Sequence, residues 1–302
     1  MRKVTPLNDY VFKKIMGEKG DEVQLKAFLE AVLGRKLNSV EIVGTRDLTP
    51  EVIGDKLSIL DVRAKTDDNT EINVEVQVRN EHNMDRRSVF YWSKVMSASL
   101  DERQDYSELP NVVMINILKY NHFKGKRGDK KFHRTYHLYE DEEMTRLTDA
   151  IEIHFIEVSK FLRLKEKDLA NNAMHRWLTY LGKGADENVA KEVVAMDSAI
   201  QQANQKYEHI LSDKEELHQA IMREIAIISY NTNFAAAERK GKVEGQLEGR
   251  VERGKETAYE MFIDGESMAR IKKYSKLSDK ELAEVLSGLP AEIQAKYSIR
   301  QP

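Results

Sequence analysis

The sequence predicts an α/β fold in which helices flank a mixed sheet and an α-helical extension follows at the C-terminal end. Three observations support this prediction. Apolar residues recur at three- and four-residue spacing near the start, strand-like runs occupy much of residues 37–158, and the pattern is helical from about Lys167 onward. With 302 residues and 41% hydrophobic content, the chain can bury the core of one large domain with an appendage, or of two modest domains.

Two helices and a strand are predicted at the start of the chain. The helices are Asp9–Gly17 and Glu22–Gly34, and Gly34 is a typical residue for a helix C-terminus. Leu37–Val43 is predicted to be a strand, followed by a turn at Thr49–Glu51.

A hairpin comes next, formed by Lys56–Lys65 and Glu71–Arg79 and joined by short polar residues that tolerate turn geometry. Because strand side chains alternate between faces, the polar residues of the second run share one face: Glu71, Asn73, Glu75 and Gln77. The opposite face is aliphatic and consists of Ile72, Val74, Val76 and Val78. The second run therefore predicts an acidic ridge backed by an apolar surface.

A long helix and further strands are predicted after the hairpin. Met84–Gln104 is predicted to be helical, with a buried stripe formed by Val89, Trp92, Val95, Met96 and Leu100. Val112–Leu118 is an almost unbroken apolar run, typical of a central strand buried on both faces. Phe132–Glu140 and Ile151–Val158 are predicted strands.

The helical extension is predicted to begin with Asp168–Leu181, Asn188–Ser212 and Asp213–Glu238. Ser212 and Glu215 have the spacing of a capping box for the last of these. The tail, Asp264–Leu289, is predicted to form two short helices broken near Tyr274–Lys276, with Ser278 and Glu281 as a second capping box. Its outline resembles a helix-turn-helix, but a small helical hairpin is favoured because the segment is short for DNA reading.

Glycines recur every four residues at Gly241, Gly245 and Gly249, with apolar residues interleaved at the same period. One interpretation is a helix whose small-residue stripe lets a partner backbone approach, and the other is a charged linker. The chain is accordingly predicted to contain a core at residues 1–165, a helical region packed on it at 166–237, a glycine-periodic helix or linker at 238–258, and a small helical tail at 259–302.

Thirteen residues separate Asp61 from Glu75, and each carboxylate lies in a predicted strand of the hairpin. Two carboxylates on adjacent strands repel each other unless a cation neutralises them, and all-oxygen ligation suits Mg²⁺ or Mn²⁺. The alternative is an ordinary half-solvated antiparallel sheet, which produces the same alternation.

Several blocks around this pair resemble the Rpn-type branch of the PD-(D/E)XK nuclease superfamily, a branch of recombination-promoting nucleases and transposases. The blocks are Asn8–Gly17, Leu25–Gly34, Asp61 with Glu75-Val76-Gln77, Arg87–Ser93, Tyr106–Pro110 and Val112–Lys119. They occur in collinear order over residues 8–120, which is more specific than any single motif. The resemblance implies a restriction-endonuclease-like mixed-sheet core.

The resemblance also implies roles for individual residues. Asp61, Glu75 and the carbonyl of Val76 would ligate Mg²⁺ or Mn²⁺. Gln77 stands where the superfamily usually has lysine, as is common in this branch, and a neutral amide can only orient the attacking water. Lys94 is a candidate for the missing charge.

Arg87 and Tyr91 lie four residues apart on the long helix and, by resemblance, would contact the scissile phosphate or brace the carboxylates. Without the resemblance they would be interpreted as an ordinary exposed pair. Asp9 and Glu30 are rival candidates for an additional acid at the metal site.

A basic stretch is a candidate phosphate-binding loop or, alternatively, a solvated loop; it contains Lys119, His122, Lys124, Lys126, Arg127, Lys130 and Lys131. His133 and His137 are interpreted as structural, because no carboxylate of suitable spacing lies near them in the sequence.

Composition excludes several classes of protein. With no cysteine, the chain has no disulfides, thiolate nucleophile or cysteine zinc site. No apolar run approaches the length of a membrane span and the N-terminus lacks a hydrophobic signal region, so a cytoplasmic protein is expected. The resemblance implies that the protein is bacterial. The net charge of −3 neither supports nor opposes nucleic-acid binding. No glycine-rich phosphate loop or dinucleotide fingerprint is present.

The predicted function is that of a Mg²⁺-dependent DNA endonuclease linked to recombination or transposition. Cutting both strands of a duplex with one site per chain favours a homodimer formed through the C-terminal helices. The alternative function is a catalytically idle DNA-binding or oligomeric interaction module that keeps the nuclease fold.

Overall fold

The computed structural model describes residues 4–43, 62–78, 80, 82–99, 105–124, 131–182 and 187–298. The chain divides into two compact units, Met1–Ile228 and Ser229–Pro302. The finer division predicted at residues 165, 237 and 258 stays a prediction.

The first unit is built on a mixed six-stranded sheet with the order β1-β2-β3-β4-β6-β5. The strands are β1 Val40–Val43, β2 Val62–Thr66, β3 Thr70–Gln77, β4 Asn111–Leu118, β5 His133–Tyr136 and β6 Ile151–Glu157. Strands β3, β4 and β6 are parallel, whereas β1, β2 and β5 pair antiparallel with their neighbours. The predicted α/β class with a mixed sheet is confirmed.

Helices flank this sheet and continue beyond it. They are α1 Asp9–Met16, α2 Glu22–Leu33, α3 Met84–Ala98, α4 Val158–Leu162, α5 Ala173–Leu181, α6 Glu187–Met196, α7 Ser198–Ser212, α8 Lys214–Ile263, α9 Met268–Ser275, α10 Asp279–Ser287 and α11 Ala291–Ser298. A short 3₁₀ turn lies at Tyr106–Glu108. None of the helices in the described part of the chain is long and apolar enough to span a membrane. The predicted helical C-terminal region is confirmed.

The two faces of the sheet bury different sets of side chains. On one face, the aliphatic side chains of β3 and β4 pack with the helices α1, α2, α5 and α7 in the larger core. On the other face, Met114, Ile153 and Phe155 pack beneath α3. This second face also carries Glu75, which is only 1% exposed. The alternative of a half-solvated sheet is therefore wrong at this strand.

The predicted buried stripe of α3 needs one correction. Val89 is 49% exposed, whereas Ser88 is fully buried and its hydroxyl donates to the Met84 carbonyl oxygen at 2.8 Å. Because this bond satisfies the hydroxyl inside the helix, a small polar residue can occupy the interior. Val95 is buried as predicted, and Leu100 lies outside the described residues.

Capping side chains move several predicted helix boundaries. The Asn172 side chain accepts from His175 N–H, so that helix begins at Ala173 rather than at Asp168. Asp197 caps α7 and thereby divides the helix predicted over Asn188–Ser212. Asp213 Oδ1, not Ser212, accepts from the backbone N–H groups at the start of α8, so the first predicted capping box is wrong.

Helix α8 continues past Glu238, and Gly241, Gly245 and Gly249 lie within it. A Cβ added at any of these three glycines would meet no atom of the described part of the chain within 4 Å. Each glycine costs the helix about 0.5–1 kcal/mol relative to alanine, a cost that the neighbouring strong helix formers offset.

The second unit contains the C-terminal part of α8 and the three short helices α9, α10 and α11. Its core comprises Ala258, Phe262, Ile271, Leu277, Leu282, Leu289 and Tyr297. A break falls after Ser275, where Lys276 adopts a left-handed conformation with φ 57°. The capping box of Ser278 and Glu281 is confirmed at the start of α10.

Candidate active site

Glu75 and Arg87 form a buried ion pair between the sheet and α3. Glu75 belongs to β3, and its Oε1 accepts a hydrogen bond from Arg87 Nη2 at 2.7 Å. The Arg87 side chain is 16% exposed. Its guanidinium lies 5.0 Å from the ring centroid of Tyr91, one turn further along the helix. Three of the predicted site residues are therefore brought together, and the pairing of Arg87 with Tyr91 is held by a cation–π contact.

A polar residue that sequence reasoning missed lies beside Glu75. Asn116 of β4 is in register with Glu75, so both side chains lie on the face covered by α3. Its Nδ2 donates to the His154 carbonyl oxygen at 3.0 Å. Its Oδ1 is buried and has no hydrogen-bond partner among the described residues. The available signal was a lone amide in the apolar run Val112–Leu118, since a buried amide requires partners.

Gln77 is the last residue of β3 and shares the Glu75 face, with 8% exposure. Its backbone carbonyl oxygen accepts from Lys119 N–H at 3.1 Å, which ties the end of β3 to the residue that follows β4. The Val76 side chain points to the opposite face and is buried in the larger core. Its backbone carbonyl, the group predicted to bind metal, is thus separate from its packing role.

Asp61 lies outside the described residues. The next residue in the chain, Val62, pairs with Val74, the neighbour of Glu75.

Asp9 and Glu30 are both engaged with groups other than Glu75 in the described structure. Asp9 Oδ2 lies 2.6 Å from Arg223 Nη2 on α8. Glu30 accepts from Leu37 N–H at 3.0 Å and pairs with a lysine of the same loop. These contacts give each carboxylate a structural role, and a role at the metal stays a prediction.

Lys94 lies seven residues after Arg87, so it shares the same side of α3. Its Nζ lies 5.6 Å from the ring centroid of Phe90, a residue that is 54% exposed. Lys94 therefore stands toward the outer part of that side of the helix.

The basic stretch is only partly described. Lys119 directly follows β4, and Lys124 and Lys131 are exposed. Lys126, Arg127 and Lys130 lie outside the described residues. Burial lowers the pKa of His122, so this histidine adds little positive charge near neutral pH.

His133 and His137 lie near a carboxylate in space, although none of suitable spacing lies near them in the sequence. Their interpretation as structural residues stays a prediction. His133 Nε2 lies 2.8 Å from His154 Nδ1, and His154 Nε2 lies 2.6 Å from Glu152 Oε1. His137 Nε2 is 3.8 Å from the other Glu152 oxygen. Pairing of β5 with β6 brings these groups together on the sheet face opposite Glu75. In the described part of the chain, no group of three or more His, Cys, Asp or Glu residues could hold a metal ion.

This histidine chain predicts a pH-dependent stability. Burial, together with the charges of His154 and Lys131, lowers the pKa of His133 to about 4. An unfolded histidine titrates near 6.5, so the unfolded state gains a proton first as pH falls from about 6.5 to about 4. The free energy of unfolding is expected to decrease by up to about 3 kcal/mol as the pH falls across this window. Above pH ~6.5 the contribution of the neutral His133 to stability is complete.

Urea denaturation of wild type and His133→Asn at a series of pH values checks this expectation. The variant loses a hydrogen bond at neutral pH but no longer titrates at this position. The stability advantage of the wild type should therefore shrink as pH falls. An advantage that stays constant from neutral pH to pH ~4.5 would contradict the assignment of a neutral, buried His133.

The donor atoms beside β3 fit a hard cation. The Glu75 carboxylate and Asn116 Oδ1 are oxygen donors, the type that Mg²⁺ and Mn²⁺ prefer. The Arg87 guanidinium already neutralises part of the Glu75 charge, so a cation would have to share this carboxylate.

Comparison with known proteins identifies a family that resembles most of the chain. A family model described as PD-(D/E)XK nuclease family transposase matches residues 6–236 of the chain. This span contains the whole sheet and the helices from α1 to the first half of α8. No protein of curated function and no solved structure matches the chain.

Proposed function

This chain belongs to the PD-(D/E)XK nuclease family transposases, and on that basis we propose that it hydrolyses DNA phosphodiester bonds with a bound divalent cation. The observation that carries the proposal is the buried pair of Glu75 and Arg87, placed between β3 and α3 at 2.7 Å. A carboxylate at this depth is costly unless it is paired or binds a metal. The family implies nuclease activity and DNA as the substrate.

Each residue has a proposed task. Asp61, Glu75 and the Val76 carbonyl would hold Mg²⁺ or Mn²⁺, with Asn116 Oδ1 as a further acceptor nearby. When bound, such a cation lowers the pKa of a coordinated water. The Gln77 amide would orient the attacking water, because an amide can donate and accept but cannot take up the proton.

Arg87 would stabilise the charge that develops on the phosphate, since its planar fork matches two phosphate oxygens. Tyr91 would hold the guanidinium in place through the contact at 5.0 Å. Lys94 would contribute only long-range charge from its outer position near Phe90.

One observation favours the alternative of a catalytically idle DNA-binding module. Arg87 donates directly to Glu75, so the charge of this carboxylate is already partly compensated without a metal. The two functions differ in their dependence on metal. A nuclease cleaves supercoiled plasmid in Mg²⁺ or Mn²⁺ and stops in EDTA, whereas an idle module binds the plasmid and leaves it intact under both conditions.

We also propose a homodimer formed through the C-terminal helices, because one site per chain cuts one strand at a time. The open space around Gly245 supports close approach of a second helix. A Cβ added at Gly245 has no atom of the described residues within 4 Å, so Gly245→Leu should fold normally but weaken the dimer by about 1–3 kcal/mol through overpacking. Sedimentation equilibrium measures this, with Gln246→Leu on an adjacent side of the helix as the control. A Gly245→Leu dimer as tight as wild type would remove the glycine stripe from the interface.

A further inference from the structure

A buried charged cluster lies at the end of β6 and has no part in the chemistry above. Glu157 is fully buried and accepts four hydrogen bonds. Two come from the backbone N–H groups of His122 and Phe123, at 2.8 and 3.2 Å. The other two come from Arg134 Nη1 at 2.9 Å and Lys160 Nζ at 2.8 Å. One carboxylate thus contacts chain segments on both sides of residues 125–130.

The cations that pair with Glu157 extend this connection to the backbone. Lys160 Nζ donates to the Phe123 carbonyl oxygen at 2.6 Å, and Arg134 Nη1 donates to the Lys131 carbonyl oxygen at 2.6 Å. The Arg134 guanidinium also lies 4.6 Å from the centroid of the Phe123 ring. Residues 119–124 and 131–134, here called the anchored segments, are therefore fixed by the same three charges.

Further contacts secure both segments. Ser159 Oγ donates to the Lys119 carbonyl oxygen at 2.7 Å. Glu157 N–H donates to the Phe132 carbonyl oxygen at 2.7 Å. The end of β6 and the start of α4 therefore hold the exit from β4 and the entry into β5.

Stability alone does not account for this arrangement. Desolvating an ion pair offsets much of its attraction, and apolar residues of similar volume often stabilise a core as well or better. A buried carboxylate that accepts from two backbone N–H groups and two cations instead specifies one backbone geometry. The anchored segments are thus held in position by directional bonds.

The cluster lies on the same side and at the same end of the sheet as the candidate site. Glu157 is in register with Leu118, and Leu118 is in register with Gln77. Lys119 N–H donates to the Gln77 carbonyl oxygen. The exposed side chains of Lys124 and Lys131 belong to the anchored segments and therefore stand at this end.

We infer that Glu157 is a positioning residue for DNA: with Arg134 and Lys160 it holds Lys119, Lys124 and Lys131 where they contact phosphates beside the cleavage site. This inference rests on the proposed function. The anchored segments bind the sugar-phosphate backbone of DNA, because lysine side chains on a fixed protein backbone bind phosphate without reading the base sequence.

The test uses Glu157→Gln in the full chain. This variant removes a negative charge, so simple electrostatics predicts tighter DNA binding. The inference predicts the opposite, because the amide releases Arg134 and Lys160 and frees the anchored segments. Binding of a short fluorescein-labelled duplex, followed by anisotropy in EDTA across a KCl series, should weaken by about tenfold, and the salt slope should fall by about 2–3, near 0.9 per lost phosphate contact.

A matched control separates the loss of one negative charge from the loss of the Glu157 contacts. Asp197→Asn also removes one negative charge from a carboxylate paired with an arginine, Arg176 at 3.2 Å, and asparagine still caps α7. This control should keep the wild-type slope. If Glu157→Gln fails to show a native circular dichroism spectrum, Arg134→Lys keeps the charge, loses the stack on Phe123 and should weaken binding in the same direction.

The outcomes separate this inference from the function on which it rests. Weaker binding with a shallower salt slope, and no change in Asp197→Asn, supports the positioning role. Wild-type binding with an unchanged or tighter Glu157→Gln overturns the positioning role alone. A wild type that binds no duplex overturns the inference together with the proposed function.

Discussion

Glu75→Gln is expected to lower the DNA cleavage rate on the order of 10³-fold, because the amide removes the negative charge that would hold the metal and its activated water. Glutamine keeps the shape of the side chain and an oxygen that can still accept from Arg87. The change should therefore affect the chemistry far more than the packing between β3 and α3. Initial rates of plasmid nicking in Mg²⁺ measure the effect.

Glu71→Gln is the matched control on the same strand and the same face. Glu71 pairs with Arg63 at 3.0 Å and accepts from the Ser99 hydroxyl at 3.0 Å, so it also loses an ion pair on substitution. Its cleavage rate should stay within a few-fold of wild type. Equal losses in the two variants would show that the ion pairs matter for folding, and would contradict a specific role for Glu75.

Arg87→Met is expected to destabilise the protein by about 3 kcal/mol, because it removes the guanidinium that pairs with the buried Glu75 carboxylate. Urea denaturation without divalent metal measures this loss. Arg63→Met is the control, and its cost should be smaller because its partner Glu71 is 19% exposed and remains hydrated.

Added Mg²⁺ should recover part of the stability lost in Arg87→Met. A cation bound by Glu75 supplies the missing positive charge, and a ligand that binds only the folded state raises its stability by mass action. The rise in melting temperature with Mg²⁺ should therefore be larger in Arg87→Met than in wild type or in Arg63→Met. An equal response in all three proteins would argue against metal binding at Glu75.

The central elements of the sheet were predictable because burial dominates their sequence pattern. Strand β4 is buried on both faces and its run Val112–Leu118 is almost entirely apolar, so it matches its predicted range closely. The sequence pattern also predicts strand β3 and the start of α3 at Met84 for the same reason. Helix boundaries were less predictable, since neighbouring residues such as Ser212 and Asp213 compete for the same cap.

The positions of the polar side chains were less predictable, because they depend on contacts between segments that are distant in the sequence. The proximity of Glu75 and Arg87 followed from the resemblance, but the pairing of Glu75 with Asn116 required the register of β3 on β4. Likewise, nothing in the local sequence connects Glu157 with His122 and Phe123, which lie more than thirty residues earlier. Side chains that act through tertiary contacts carry only a weak signal, namely a lone polar residue in an apolar run.

We propose that Asp61 and Glu75 bind one divalent cation between them, and calorimetric titration of Mn²⁺ into the DNA-free protein tests this binding. Wild type and Glu71→Gln should bind Mn²⁺ with similar affinity, and Asp61→Asn and Glu75→Gln should each lose at least about tenfold, since each removes a charged oxygen ligand. Asp61→Asn binding as tightly as wild type, or a folded wild type that binds no Mn²⁺, would contradict the claim.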